Sequence, residues 1–269
     1  MEFEGRVPTQ GTQLWVEAVG EGAPVVLLHA GIAHSRMWDG QVAELRSRFN
    51  VIRYDVRGFG RSYSPDMEYV DHHDLASVMN HFSISSAILV GASNGGRIAV
   101  DFALENPDRI RGLFLIAPGI GGFATSRPVK EGWDAIEALE GIDDIEAAIE
   151  ATLALWVDGP RRDASEVSVQ ARRAVAEMLR DNYGIPPEQD AGREAETSTA
   201  RDRLESISAP LTVLVGECDH DEKLLVAKEL ASRVAGSRLV LMPGVAHMPS
   251  LEQPDAFGRE FAEFLDTLD

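Results

Sequence analysis

The stretch AILVGASNGGRIAVDFAL, residues 87–104, decides the fold. It opens as a run of strand-forming apolar residues ending in glycine. Ser93 and Asn94 follow, then Gly95 and Gly96, and from there the apolar positions recur with helical period. Gly91 to Gly95 thus reads G-x-S-x-G after a strand and before a helix, the context that motif requires. A sharp strand-to-helix turn strains the serine backbone and holds its hydroxyl clear of the sheet. Gly91 and Gly95 leave room for neighbouring backbone, and Gly96 lets the helix pack closely. Asn94 places a backbone N–H at a helix start, where donors lack partners and the dipole favours an anion. That is half of an oxyanion hole. The plainer alternative is a serine in a glycine-rich turn. Nucleotide-binding alternatives fail, because the stretch has neither Gly-Lys-Ser/Thr nor G-x-G-x-x-G spacing.

Working outward, short apolar runs at 13–19, 24–31, 49–58, 86–93, 111–119, 210–219 and 237–247 read as strands. All but the first are nearly continuous, as in strands buried on both faces. Helical periods fall near 36–48, 71–82, 94–106, 222–234 and 255–268. Alternating strands and helices predict an α/β fold with a mainly parallel sheet covered on both faces. Between Gly119 and Pro210 the rhythm breaks. No convincing strand occurs there; helical patterns cover 143–157 and 164–180, and 181–199 includes an exposed loop. The expected division is a core of 1–120 and 209–269 with a helical cap, 121–208, sitting over the sheet.

A serine hydroxyl needs a base. Of seven histidines, His247 follows the last strand, at the sheet edge where parallel α/β proteins gather their sites. His29 ends the first buried strand. His34, His72, His73 and His81 are expected to face solvent, and His220 to be a loop residue. The sequence HHD at 72–74 hints at a metal, but nothing else supplies matching ligands. Asp219 ends the strand before His247 and completes the order Ser, acid, His; Glu217 and Asp221 are fallback acids. A second oxyanion donor is expected from the backbone near Gly31 or Ile32. Arg57 is read as structural, tying its loop to nearby carbonyls. Trp38, Phe123, Trp133, Trp156 and Met178 are candidates to line an apolar substrate pocket under the cap.

Composition narrows the partners. Lys and Arg number 25 against 44 Asp and Glu, a net charge of −19, which repels phosphate backbones and anionic membranes. Nucleic acid and membrane are therefore not expected as partners; a small-molecule substrate is. No apolar run approaches the roughly 20 residues of a membrane span. The opening MEFEGRVPTQG is acidic and broken by Pro8, unlike a secretory signal, and the single cysteine, Cys218, cannot form an internal disulfide and is expected only to pack. Cytoplasmic localisation is the expectation. Oligomeric state stays open, a homodimer included.

Taken together, five segments resemble the α/β-hydrolase superfamily: LLHAG (27–31), DVRGFGRS (55–62), GASNGG (91–96), GECD (216–219) and HMPSLEQP (247–254). The resemblance runs over nearly the whole chain outside the insertion. It is nearest to a compact, capped subgroup of 3-oxoadipate enol-lactonases, small carboxylesterases, C–C bond hydrolases and haloperoxidase-like perhydrolases. It implies an eight-stranded, mostly parallel sheet and an ester or lactone hydrolase without cofactors. Ser93 would be the nucleophile, His247 the base and Asp219 its orienting acid. The same scaffold also serves lyases, cyclases, cofactor-free oxygenases and a few ligand receptors, so those readings stay open. Two departures stand out. Ala30 replaces the usual glycine after the oxyanion-strand histidine. Asn94 follows the nucleophile, where its amide either meets a polar substrate group or contributes backbone alone.

Overall fold

The computed structural model describes residues 2–186, 191–194 and 199–268. Its sheet has eight strands in the order β1-β2-β4-β3-β6-β7-β9-β10. These are β1 Glu2–Thr9, β2 Thr12–Val19, β3 Ala23–Leu28, β4 Phe49–Tyr54, β6 Ala87–Ala92, β7 Ile110–Ile116, β9 Leu211–Gly216 and β10 Arg238–Met242. β1 and β2 form an antiparallel hairpin and β2 runs antiparallel to β4; the remaining pairs are parallel. The two-residue strands β5 (Glu68–Tyr69) and β8 (Arg193–Glu194) pair apart from this sheet.

Strand order explains why the site sits where it does. β6 is central, every one of its residues is buried, and β3 and β7 flank it. Helices α2 (Asp71–His81), α3 (Asn94–Glu105) and α7 (Asp221–Arg233) cover one face with Leu75, Val78, Ile98, Phe102 and Leu230. Helices α1 (Asp39–Leu45) and α9 (Pro254–Asp266) cover the other. There the Phe114 ring of β7 packs 5.7, 4.9 and 5.4 Å from the rings of Phe257, Phe261 and Phe264. Burying a side chain of this size contributes about 1.5–3 kcal/mol, so this cluster anchors the C-terminal helix.

Three observations correct the expected elements. The opening residues form an edge strand: Pro8 pairs with Gln13 in β1, the one sheet position where a missing N–H costs little. Helix α4 (Arg127–Glu140) was not expected; it buries only Val129 and Ile136, too few for a clear apolar stripe. The expected exposed loop at 181–199 begins inside α6 (Val169–Tyr183), and its residues 187–190 and 195–198 lie outside the described residues. Between β7 and β9, α4, α5 (Ile145–Thr152), a π-helical turn Leu153–Asp158 and α6 form a helical layer. Among the described residues no helix is long and apolar enough to cross a membrane.

The loop after β4 owes its composition to structure. Asp55 accepts backbone N–H groups from Ser35 and Arg61, both at 2.9 Å. Arg57, fully buried, makes a bidentate pair with Asp74 at 2.5 and 2.9 Å and donates to the Gln10 carbonyl. The HHD histidines lie in the first turn of α2, whose Asp74 makes this pair, and no group of three metal-binding side chains occurs among the described residues.

Candidate active site

Ser93 stands between β6 and α3 at φ +50°, ψ −108°, in the left-handed region that a serine enters only under constraint. Such a conformation costs on the order of 1–3 kcal/mol and persists where its surroundings impose it. The constraint is visible on both sides. The Ser93 N–H donates to the Ile116 carbonyl at 2.8 Å, and the Ser93 carbonyl accepts from Arg97 and Gly119. A Cβ at Gly91 would lie 2.4 Å from the Gly95 carbonyl oxygen, and one at Gly95 would lie 2.3 Å from that of Leu28. Only glycine fits either place, so the turn can be this tight.

His247 lies on the loop between β10 and the short helix α8 (Pro249–Glu252), buried at 2% exposure. Its Nδ1 donates to Asp219 Oδ2 at 2.7 Å, and the other Asp219 oxygen accepts the His220 N–H, also at 2.7 Å. Asp219 has no exposed surface. A carboxylate so enclosed orients the ring and stabilises it when protonated. Ser93 and His247 both line a cavity of about 250 Å³, together with Gly31, Ile32 and Asn94. The Ser93 hydroxyl makes no direct hydrogen bond to the imidazole here; bonds of this kind tighten in the substrate complex. A Cβ on Gly31 would approach Asn94 Cβ to 3.6 Å, so the two expected sources of oxyanion donors are neighbours. The fallback acids lie elsewhere: Glu217 is exposed, and Asp221 is exposed and paired with Arg161.

The expected pocket residues divide. Trp133 and Trp156 line the cavity, their rings 6.0 Å apart, and the Trp156 ring is 4.4 Å from that of His247. Phe123 lines an adjoining cavity of about 300 Å³, with the Arg201 guanidinium over its ring. Trp38 and Met178 do not reach the cavity. Trp38 is completely buried against Phe257, and Met178 packs into the core from α6, because each points toward the apolar layer instead of the rim. His34 is also corrected, while His220 lies in the loop before α7 as expected, though buried. His34 is buried and caps a short 3-10 helix, and His220 is buried with Nε2 donating to the Leu155 carbonyl at 2.7 Å. Of the other helix histidines, His73 and His81 are exposed and His72 is half-buried.

His29, a buried histidine near the site, is fixed in another role. Its Nδ1 donates to the Ala30 carbonyl at 2.8 Å, its Nε2 accepts the Val56 N–H at 2.9 Å, and its carbonyl accepts the Gly95 N–H. The ring must stay neutral to accept from Val56. Burial lowers its pKa from 6.5 to about 4. The unfolded chain thus binds a proton near pH 6.5 that the folded one refuses until about pH 4. Stability is full above 6.5 and is lost as pH falls toward 4. The drop from 6.5 to about 4 corresponds to about 3 kcal/mol. We expect denaturant titrations to show this loss, and H29Q to remove that part of the pH dependence. An unchanged pH profile in H29Q would place the titration elsewhere.

Sequence reasoning missed the two arginines that bind the helical layer to the loops carrying the acid and histidine. Arg161 donates to the Asp219 and Glu217 carbonyls. Arg162, 6% exposed, pairs with the buried Glu252 at 2.6 Å and donates to the Gly244 carbonyl at 2.8 Å. Glu252 in turn accepts the N–H of Ala246, next to His247, at 3.0 Å. The only signal was the adjacent Arg-Arg pair, which carries no motif.

This sheet, this turn and this loop order define a hydrolase-type α/β protein. Residues 25–260 match the Alpha/beta hydrolase family, and the chain belongs to that family. Similar proteins include a pimeloyl-[acyl-carrier protein] methyl ester esterase of Nitrosomonas europaea, 27% identical over 252 residues, 90% of this chain and 95% of that one. An esterase structure from Thermogutta terrifontis superposes with TM-score 0.80 at 25% identity, covering 99% of each chain. The enol-lactonase of Burkholderia xenovorans superposes with TM-score 0.79 at 25% identity, over 97% of this chain and all of that one.

Proposed function

We propose that this protein hydrolyses a carboxylic ester or lactone of a small to medium, partly apolar substrate through an acyl-enzyme. One observation carries the reading: His247 donates to the buried Asp219 at 2.7 Å while its ring and Ser93 line one cavity. Ser93 Oγ attacks the carbonyl carbon as His247 Nε2 takes its proton. The negative charge on the carbonyl oxygen is received by the Asn94 N–H and an N–H from Gly31 or Ile32. These amides are fixed in place before reaction, so they stabilise the developing charge without reorganising. The tetrahedral intermediate collapses, the leaving alkoxide takes the proton from His247, and Ser93 is left acylated. Water then gives its proton to His247 and attacks the acyl carbon; the serine leaves and recovers that proton. No step asks for a metal or organic cofactor.

The similar proteins named as ester and enol-lactone hydrolases support this chemistry. The cavity and its two tryptophans support the substrate size. Helices 121–208 act as the cap, which makes Trp133 and Trp156 the residues that choose the acyl chain. Stopped-flow mixing with p-nitrophenyl esters of two to eight carbons tests the reading. We expect a nitrophenol burst stoichiometric with enzyme, followed by steady turnover. Chain-length preference should track cavity size. Absence of turnover with every ester and lactone offered would overturn it in favour of non-hydrolytic chemistry.

A further inference from the structure

Asn94 and Lys223 give the cavity a polarity that the catalytic steps leave unused. Asn94 Oδ1 accepts from Arg97 Nε at 3.0 Å. A guanidinium has only donors, so the contact fixes which end of the amide is oxygen. Arg97 is itself held by Asp71 at 2.6 Å and Asp101 at 3.4 Å, so its charge is already balanced. The amide nitrogen of Asn94, with two N–H donors, has no acceptor among the described residues and belongs to the cavity wall. The Lys223 side chain, only 12% exposed, lines the same cavity. Its Nζ lies 5.5 Å from the Trp156 ring centroid and 3.8 Å from Glu222 Oε1, beyond hydrogen-bond length. The second Glu222 oxygen is occupied by the Ser126 N–H at 2.5 Å. The ammonium group therefore keeps an ion pair with Glu222 but has no hydrogen-bond acceptor among the described residues, in a recess it shares with Ser93, Asn94, Arg97 and His247.

We propose that the substrate carries a carboxylate besides its scissile ester, and that Lys223, assisted by the Asn94 amide, binds it. This rests on the hydrolytic reading and names its substrate class. The chain's −19 charge does not oppose it at short range, because salt screens charges beyond about 8 Å at physiological ionic strength. A hydrogen bond to a charged group in a recess stabilises by enough to change affinity about 10- to 100-fold. Recognition of an uncharged ester would leave this lysine with the Glu222 ion pair alone and no hydrogen-bond acceptor from the substrate.

The test uses methyl monoesters of linear dicarboxylic acids, the methyl esters of the matching monocarboxylic acids, and ω-amino methyl esters. We expect kcat/KM to favour the anionic monoester over the neutral ester by about 10-fold or more, with the cationic ester poorest. K223M should collapse that preference to near one, chiefly through KM, and K223R should restore part of it. E222Q, which removes the competing carboxylate but keeps an acceptor for Ser126, should raise it. Titration calorimetry with S93A measures binding of the same esters without turnover. Equal affinity for anionic and neutral esters, or a preference untouched by K223M and E222Q, would overturn the proposal. Selective binding of the anionic ester to S93A with no turnover by the parent protein would instead remove the hydrolytic reading and keep this one.

Discussion

S93A is expected to lower kcat for ester hydrolysis by at least about 10⁴-fold, with KM changed far less, as for loss of a nucleophile that acts as part of a unit. No other hydroxyl replaces it, since its placement depends on the strained turn at φ +50° and on two glycines that admit no side chain. Alanine tolerates the same turn no worse than serine does, and among the described residues the Ser93 hydroxyl makes no hydrogen bond to be lost. Thermal stability should therefore hold or rise slightly. A variant that unfolds would be uninformative about chemistry, so circular dichroism and Tm accompany the assay. Residual activity within 10-fold of the parent, in a folded S93A, would remove the nucleophile from the account.

D219N is expected to lower kcat by about 10⁴-fold. Asp219 Oδ2 accepts from His247 Nδ1 and Oδ1 accepts the His220 N–H. Asparagine keeps the volume. With its oxygen kept on the His220 N–H, it turns an NH₂ group toward His247. The ring then accepts at Nδ1 and carries its proton on Nε2, the atom that must receive the Ser93 proton. The loss is one of tautomer and of charge. In addition, the imidazolium formed in the transition state would face a neutral amide in a site with no exposed surface. Substrate affinity, read from KM, should move little. A D219N variant retaining a tenth or more of parental kcat would mean that His247 is not held by this carboxylate during turnover.

Much of the fold was legible because the buried parallel strands are written as continuous apolar runs, β6 most plainly, and each is followed by a helix. The strand-turn-helix around Ser93 was legible for the same reason: glycine spacing reports where backbone must approach backbone. What failed has physical causes. β1 was obscured because Pro8, a breaker in central strands, is harmless on an edge. α4 was obscured because it buries only two residues. Trp38 and Met178 were drawn to the pocket by size and position, but an aromatic near the rim can point either way, and Trp38 turns into the layer beneath α9. His34 was read as exposed because a histidine in a loop usually is; its burial depends on contacts from Asp55 and Asp181, distant in the chain. The Arg162–Glu252 pair joins residues 90 apart and follows no local pattern.

Ser93 is the centre of the proposed chemistry, and labelling reaches it directly. A fluorophosphonate should inactivate the protein in a one-to-one reaction, and peptide mass spectrometry should find the phosphonyl group on Ser93 alone, with H247A slowing the reaction by orders of magnitude. Labelling of a different residue, or full hydrolytic activity in a protein that takes up no phosphonate, would contradict it.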